Sequence, residues 1–242
     1  MTYVMSDIHG CFDQYLELLR LIDFSANDEL FVLGDVVDRG EKPIELLLDM
    51  SMRSNVFPIV GNHEFAAIAV LKQVLGKAKF AVSEESLDEL LNEESVREDM
   101  VSLLEDISLW VLDGGGPTMD GFAILSLAGK EDVIEYLEEF SLYEMVEVGG
   151  KKYVLTHAGI PEGATLDKLD DYDAYDFVVA NADYSKACFE DAILVTGHIP
   201  IAEGKVWRGN NHMRIDTGSV FGGNLCCVCL DTGDEFYVKG VN

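Results

Sequence analysis

The sequence is poor in positively charged residues. It has 17 lysines and arginines against 45 aspartates and glutamates, so its formal net charge at pH 7 is −28. A chain of this charge is repelled by nucleic acid backbones and by anionic membrane surfaces. We therefore expect neither nucleic acid nor a membrane as a partner. A phosphorylated ligand would need a local positive centre, which bound metal ions could supply.

Long apolar runs are also missing, and the sequence predicts no membrane-spanning helix. Its first residues lack the basic segment and the long apolar segment of a secretory signal. The five cysteines are few and odd in number, and Cys226, Cys227 and Cys229 share one apolar run. We interpret these three as small buried side chains rather than disulfide partners. This interpretation favours a reducing, cytoplasmic location.

The remaining composition favours a folded α/β protein. Hydrophobic residues make up 48% of the chain and charged residues 26%, and no linker rich in proline, glycine or serine divides it. We expect a single domain over residues 1–242. The first sixty residues alternate between predicted strands and predicted helices: 2–5, 13–22, 30–33, 43–52 and 56–60. This order is typical of a largely parallel sheet.

Two further regions complete the predicted fold. Residues 65–110 have apolar residues at helical spacing and a capping-box pattern at Ser86 and Glu89, so we predict a helical insertion with an acidic outer face. The rest of the chain is rich in strand signals, and Gly149-Gly150 predicts a hairpin turn. The predicted strands of this part are 122–127, 143–148, 153–156, 193–196, 205–208, 212–216, 224–230 and 235–239.

Six side chains of the types that bind metals follow predicted strands: Asp7, His9, Asp35, Asn62, His157 and His198. Asp7 and His9 are two residues apart, so both side chains can reach one cation. Asp35 has two oxygens and can bridge two cations. A set of oxygen and nitrogen ligands without thiolates suits manganese, iron or zinc better than magnesium or calcium. Six such ligands are enough for a site with two metals.

Three motifs carry a family resemblance, namely Asp7-Ile8-His9-Gly10, Gly34-Asp35-Val36-Val37-Asp38-Arg39-Gly40 and Gly61-Asn62-His63-Glu64. In this order they resemble the signature of the calcineurin-like metallophosphoesterases. More specifically, they resemble the phosphoprotein phosphatase family, whose signature is D-x-H-G, G-D-x-x-D-R-G and G-N-H-E. Bacterial and phage serine/threonine phosphatases share this compact form with the symmetrical diadenosine tetraphosphate hydrolases.

The resemblance implies a fold and a set of roles. The fold is α/β, with two mixed β-sheets packed face to face and flanked by helices. The cofactors are two divalent metal ions, with manganese as our first choice and iron or zinc as alternatives. The first metal would be held by Asp7, His9 and Asp35, and the second by Asp35, Asn62, His157 and His198. A hydroxide bridging the metals would attack phosphorus in line, with His63 as general acid, Asp38 orienting His63, and Arg39 gripping the phosphate oxygens.

One expected residue is missing. The family usually has a second phosphate-binding arginine between the two later histidines, but no arginine lies between His157 and His198. Asn181 occupies the expected place and is our candidate for a second substrate-binding residue. Lys186, Arg208 and Arg214 are possible substitutes from elsewhere in the chain. A lysine cannot reproduce the bidentate grip of an arginine on phosphate.

Three functions stay open at this point. The first is a phosphatase that hydrolyses phosphate monoesters, either phosphoserine and phosphothreonine in proteins or small phosphorylated compounds. The second is a symmetrical dinucleoside polyphosphate hydrolase, which would need base-stacking aromatics such as Phe65, Phe80 or Trp110. The third is a regulatory or binding protein that retains metals with little turnover.

Three smaller features receive structural interpretations. We interpret Gly114-Gly115-Gly116 as a flexible turn rather than a phosphate-binding loop. His212 is expected to have a structural or supporting role rather than to bind a metal. Asp216, in Asp216-Thr217-Gly218, is placed at a strand exit, where it could hydrogen-bond a metal-binding histidine.

Overall fold

The computed structural model of the chain describes residues 1–82, 94–180 and 182–241. Its strands form two sheets of five strands each. The strands are β1 (Thr2–Met5), β2 (Glu29–Leu33), β3 (Val56–Ile59), β4 (Tyr143–Val148), β5 (Lys151–Thr156), β6 (Ala192–Thr196), β7 (Trp207–Gly209), β8 (His212–Arg214), β9 (Asn224–Cys229) and β10 (Glu235–Lys239).

The first sheet has the order β10-β9-β1-β2-β3. Strands β1, β2 and β3 are parallel, with Val4 opposite Phe31 and Phe31 opposite Phe57. Strand β9 is antiparallel to β1, and β10 is antiparallel to β9. Because three successive strands of the chain run in parallel, their carboxyl ends meet at one edge of the sheet, as the alternating order predicts.

The second sheet has the order β4-β5-β6-β8-β7, and β5, β6 and β8 run parallel. Strands β4 and β5 form the predicted hairpin. Its turn residues Gly149 and Gly150 have φ angles of 58° and 76°, a region in which glycine carries no steric penalty. The second sheet therefore also presents the ends of parallel strands, here those of β5 and β6.

The two sheets share a buried apolar layer. Val4, Leu33 and Val228 of the first sheet belong to the same cluster as Leu155 and Val195 of the second. The opposite face of the first sheet packs against helices in a separate cluster. The side chains of alternate strand residues thus point into the two different layers, as the pleat of a strand requires. The predicted fold class, two mixed sheets flanked by helices, is confirmed.

The helices are α1 (Phe12–Leu21), α2 (Pro43–Ser51), α3 (Asn62–Val82), α4 (Glu94–Trp110), α5 (Gly116–Ala123), α6 (Leu127–Glu138) and α7 (Ala174–Val178). A kinked segment, Val111–Gly115, joins α4 to α5, and short 3-10 turns occupy Leu166–Asp171 and Ser219–Phe221. None of the described helices is long and apolar enough to cross a membrane.

The structure corrects the predicted strand 122–127 and shows helices in the described parts of the predicted helical insertion. Residues 122–127 are not a strand: Phe122 and Ala123 end α5, which has Pro117 in its first turn, and Leu127 begins α6. The described parts of residues 65–110 are helical, within α3 and α4. The predicted capping box at Ser86 and Glu89 lies outside the described residues. The predicted strand 205–208 is shifted, since β7 begins at Trp207.

Candidate metal centre and phosphate site

The site lies where the parallel strands of both sheets end. Asp7 and His9 follow β1, and Asp35 follows β2. Their backbones bind each other, since the amide of Asp7 donates to the carbonyl of Gly34 at 3.1 Å and that of His9 to the carbonyl of Asp35 at 2.8 Å. All three have positive φ angles, from 46° to 51°. This conformation is unfavourable for residues other than glycine, so the surrounding contacts hold it in place.

Two groups of metal-type ligands meet in this site. His9, Asp35 and His63 form one group, and Asp35, His157 and His198 form the other, with the ligand atoms of each group within 4.8 Å of one another. Asp35 belongs to both groups, which is the position predicted for a bridging carboxylate.

The other two predicted ligands lie beside these groups. The Asn62 side-chain oxygen is 2.9 Å from Nε2 of His157. Asp7 lines a cavity together with His9 and His198, and its carboxylate accepts hydrogen bonds from the His198 backbone amide at 3.0 and 3.1 Å. The structure therefore brings all six predicted ligands to one place.

Two of the histidines are oriented by backbone carbonyls. His9 Nδ1 is 2.9 Å from the carbonyl of Val37, and His157 Nδ1 is 2.8 Å from that of Leu33. Because a carbonyl can only accept, each Nδ1 carries the proton and each Nε2 keeps its lone pair. Burial lowers the pKa of His9 well below its ordinary value and that of His157 to about 4. Both imidazoles are thus neutral, the form that binds metals.

The buried carboxylates of the site favour the binding of cations. Asp7, Asp35 and Asp216 are each almost fully buried. Burial, together with repulsion from Asp216 and Asp35, raises the pKa of Asp7 well above its ordinary value. Burial also raises the pKa of Asp216, to about 6. Divalent cations would relieve this repulsion, and neutral imidazoles with hard carboxylate oxygens are ligands that suit such ions. The donor set therefore fits two divalent metals.

His63 and Asp38 form a buried pair next to this cluster. His63 Nδ1 lies 2.7 Å from Asp38 Oδ2. Burial opposes protonation of His63, but the hydrogen bond to Asp38 and the charge of Asp35 outweigh it and raise the pKa of His63. His63 Nε2 is buried and has no hydrogen-bond partner among the described residues. Asp38 thus holds Nδ1 of the imidazole, and Nε2 is left available for proton transfer.

Two residues that sequence reasoning missed hold Asp38 in place. Trp110 Nε1 donates to Asp38 Oδ2 at 2.7 Å, and the Thr118 hydroxyl donates to Asp38 Oδ1 at 2.6 Å. Trp110 is therefore buried at the site rather than available to stack on a base. Trp110 and Thr118 lie 72 and 80 residues from Asp38 in the chain, so no local sequence pattern connects them to Asp38.

Glu64 is a third residue whose role the sequence did not reveal. Its Oε2 accepts from the backbone amides of Asp35 and Gly61 at 2.8 and 2.9 Å. Its Oε1 accepts from those of Val36 and Val37 at 2.7 and 2.9 Å. One buried carboxylate thus fixes the loop after β2 to the loop after β3. The signal was present, because Glu64 closes the third motif.

Glu64→Gln is expected to lower the free energy of unfolding by about 1–3 kcal/mol. Glutamine has a single side-chain oxygen, so two of the four buried amides would lose their acceptor and face an amide group that also donates. Urea denaturation of the metal-free protein measures this change. Glu17→Gln, an exposed change on α1, is the control and should have little effect. Equal stabilities for the two variants would contradict this role of Glu64.

Arg39 reaches into the same cavity, which has a volume of about 190 Å³. One of its terminal nitrogens donates to His9 Nε2 at 2.8 Å, and its guanidinium carbon lies 5.2 Å from the centre of the Phe221 ring. Arg39 is the one lysine or arginine among the described residues that line the cavity.

The glycine run packs against Arg39 instead of forming a free turn. The carbonyl of Gly114 accepts from the Arg39 amide at 2.8 Å. Gly114 has a φ of 110°, and a Cβ atom there would lie 2.6 Å from Arg39 Cγ. Replacement of this glycine would therefore displace the arginine.

The possible substitutes for the second arginine have other partners. Lys186 pairs with Glu162, and Arg208 pairs with Glu235. Arg214 donates to the carbonyl of Ile199 at 3.1 Å and lies over the Tyr184 ring. The predicted substrate-binding residue Asn181 lies outside the described residues.

His212, Asp216 and the five cysteines belong to neither of the two ligand groups. His212 belongs to neither ligand group and packs against the Tyr184 ring at 5.3 Å. Asp216 does not hydrogen-bond a metal-type histidine among the described residues. It accepts instead from the backbone amide of Gly218 at 2.9 Å, within its own turn. All five cysteines are in the described part of the chain and are free.

Two mixed sheets with carboxylate and imidazole ligands clustered at one edge define an α/β protein with a candidate metal centre. The chain belongs to the calcineurin-like phosphoesterase family, whose model matches residues 2–228. This match confirms the predicted family and the predicted enzyme class, a metal-dependent phosphoester hydrolase. A dinuclear metal centre is the cofactor that the family implies, and the ligand groups fit it.

Relatives and solved structures are similar to the chain in sequence or in fold. The symmetrical bis(5'-nucleosyl)-tetraphosphatase of Haemophilus ducreyi is 26% identical over 265 residues, covering 97% of each chain. That of Buchnera aphidicola is 39% identical over 80 residues, so the match spans only 29% of that relative. A putative diadenosine tetraphosphatase has a similar fold, with a TM-score of 0.65 at 18% identity, covering 100% of this chain and 94% of that one. A protein serine/threonine phosphatase from Saccharomyces cerevisiae has a TM-score of 0.53 at 15% identity, covering 100% and 79%.

Proposed function

We propose that the protein hydrolyses phosphate monoesters, with His63 as the general acid. The observation that carries this proposal is the buried pair of His63 and Asp38 beside Asp35, the carboxylate shared by both ligand groups. A histidine held by a carboxylate is a suitable acid for an alkoxide leaving group. Phosphoserine, phosphothreonine and the phosphate esters of small alcohols all have such leaving groups.

The metals have assigned ligands in this proposal. Asp7, His9 and Asp35 would hold the first ion, and Asp35, Asn62, His157 and His198 the second. When bound, two divalent ions supply positive charge for the phosphate and a water of lowered pKa for the attack. Manganese is our first choice, with iron or zinc as alternatives, and ligands of oxygen and imidazole nitrogen suit all three metals. The free cysteines fit a reducing compartment such as the cytoplasm.

The protein's own residues then have separate tasks. Arg39 binds phosphate oxygens through its planar guanidinium, which matches them in a fork geometry. His63 gives a proton to the leaving oxygen from Nε2. Asp38 holds the opposite nitrogen of that ring, and Trp110 and Thr118 hold Asp38. Since Asp38 and His63 are buried, this orientation is set before a substrate binds.

Arg39→Lys is expected to raise KM for p-nitrophenyl phosphate about tenfold, with a smaller change in kcat. Lysine keeps the positive charge but cannot donate two parallel hydrogen bonds to phosphate. Steady-state kinetics with manganese measures both constants. Arg53→Lys is the matched control, because Arg53 pairs with Asp49 on α2 and is not part of the cavity. An unchanged KM in Arg39→Lys would remove Arg39 as a phosphate ligand.

A symmetrical dinucleoside tetraphosphate hydrolase is the second candidate, favoured by the names of the relatives. Such a substrate offers bases that could stack on aromatic side chains. Of the aromatic side chains near the site, Trp110 is buried and not available to stack on a base, whereas Phe65 and Phe221 are exposed and available. A regulatory protein with little turnover is the third candidate. The intact contact between His63 and Asp38 speaks against it.

The test uses metal-stripped protein resupplied with manganese. We would compare hydrolysis of p-nitrophenyl phosphate, a phosphoserine peptide and diadenosine tetraphosphate. Release of phosphate from the peptide at a higher kcat/KM than cleavage of the dinucleotide supports the proposal. Selective cleavage of the dinucleotide supports the second candidate instead. No turnover of any of the three, with two metals bound, overturns both and leaves the third.

A further inference from the structure

Asp113 faces both the candidate acid and the candidate phosphate-binding residue. One oxygen of its carboxylate lies 3.8 Å from His63 Nε2, and the other lies 3.4 Å from a terminal nitrogen of Arg39. The side chain of Asp113 is 64% exposed, whereas that of His63 is 1% exposed. The carboxylate thus stands on the solvent side of the atom that would give the proton.

The segment that carries Asp113 is fixed on both sides. Trp110, three residues before it, donates to the buried Asp38 at 2.7 Å. Gly114, the next residue, accepts from the Arg39 amide at 2.8 Å. Gly115 packs against the Trp110 ring so closely that a Cβ atom there would lie 2.4 Å from it. These contacts hold the Asp113 backbone against the two residues that its side chain faces.

The position of His63 identifies the side of the substrate next to Asp113. In the hydrolysis proposed above, the oxygen of water bonds to phosphorus, the ester P–O bond breaks, and the leaving oxygen takes the proton of His63. The products are inorganic phosphate and an alcohol; the attacking water releases one proton to solvent, and His63 takes one back from solvent. The leaving group must therefore lie beside His63 Nε2. A charge next to that nitrogen, such as that of Asp113, acts on the leaving group.

We propose that Asp113 determines specificity by the charge of the leaving group. The enzyme then favours phosphate monoesters whose leaving alcohol is neutral or cationic, and it disfavours anionic leaving groups such as a nucleoside diphosphate. This inference rests on the proposed function, in particular on His63 as the acid. Selection by the charge of the leaving group is separate from proton donation, because His63 would protonate the leaving oxygen of a neutral, a cationic or an anionic group.

Two phosphoserine peptides test this inference. They have the same length, and the phosphoserine is flanked by lysines in one and by glutamates in the other. The ratio of their kcat/KM values is measured with manganese for the wild-type enzyme and for Asp113→Asn and Asp113→Lys. Diadenosine tetraphosphate serves as a third substrate, since cleavage at its centre releases a nucleoside diphosphate. Asp120→Asn, an exposed change on α5, is the matched control.

In Asp113→Asn we expect the preference for the lysine peptide to fall about five- to tenfold. The change should be larger in Asp113→Lys, and cleavage of the dinucleotide should rise in the same order. In the wild-type enzyme the preference should also shrink when sodium chloride is raised from about 0.05 to 0.5 M, because salt screens exposed charges.

Two results would overturn the inference while the proposed function stands. The first is equal change of kcat/KM for both peptides in the Asp113 variants. The second is the same loss of preference in Asp120→Asn, which would assign the effect to net charge. A wild-type enzyme that hydrolyses no phosphate monoester would overturn the proposed function itself, and the inference with it.

Discussion

His63→Ala is expected to lower kcat for a phosphoserine peptide by about 10²–10⁴-fold while the metals stay bound. Serine alkoxide is a poor leaving group, so its departure depends on the proton from His63. The loss should be much smaller with p-nitrophenyl phosphate, because nitrophenolate leaves without full protonation. Steady-state kinetics with both substrates, and elemental analysis of metal content, measure these effects.

The comparison between the two substrates is what makes this experiment specific. If His63 mainly held a metal, both substrates would lose activity to the same extent and the metal content would fall. The structure makes this distinction necessary, because His63 lies in one ligand group with His9 and Asp35. Full activity of His63→Ala on the peptide would exclude His63 as the acid.

Asp35→Asn is expected to remove metal from the protein and with it nearly all activity. Asp35 is the residue common to both ligand groups, and its carboxylate oxygens lie 3.5 Å from His9 Nε2 and 3.4 Å from His157 Nε2. Asparagine has one side-chain oxygen and no charge, so it cannot serve both groups. The loss in metal affinity should exceed the 10- to 100-fold, roughly, that is typical of changes to groups around a metal ligand.

Elemental analysis after dialysis measures the metal content of this variant. Asp113→Asn is the matched control, since it removes a carboxylate at the mouth of the same site and should keep the metals. A second measurement is thermal unfolding with and without a chelator. The chelator should lower the Tm of the wild-type protein but not that of Asp35→Asn, because ligands that bind only the folded state stabilise it. A metal content equal to that of the wild type would exclude the bridging role.

The metal-type ligands could be predicted from the sequence because they all follow strands. Asp7, Asp35 and Asn62 come after apolar runs, and parallel strands bring such positions to one edge. The supports of Asp38 could not be predicted in this way. Trp110 and Thr118 reach it through tertiary packing over more than seventy residues.

Local patterns also explain the error at residues 122–127. The run from Phe122 to Leu127 is apolar and short, and such a run fits a strand and a buried helix end equally well. Phe122 is fully buried at the end of α5, which begins at Gly116 with Pro117 in its first turn. This helix packs closely against α2, where a Cβ on Gly121 would lie 2.7 Å from Ile44, and a local sequence pattern does not contain such a tertiary contact.

The ligands come from both sheets, and this has a consequence for the order of events during biosynthesis. Asp7 and Asp35 follow strands of the first sheet, whereas His157 and His198 follow strands of the second. A ribosome therefore makes the earliest ligand 191 residues before the last. A nascent chain that has made only β1, β2 and β3 carries Asp7, Asp35 and Asn62 but neither His157 nor His198, so tight metal capture waits until β5 and β6 are made and the sheets have docked. Metal uptake during translation would then report that the two sheets have docked.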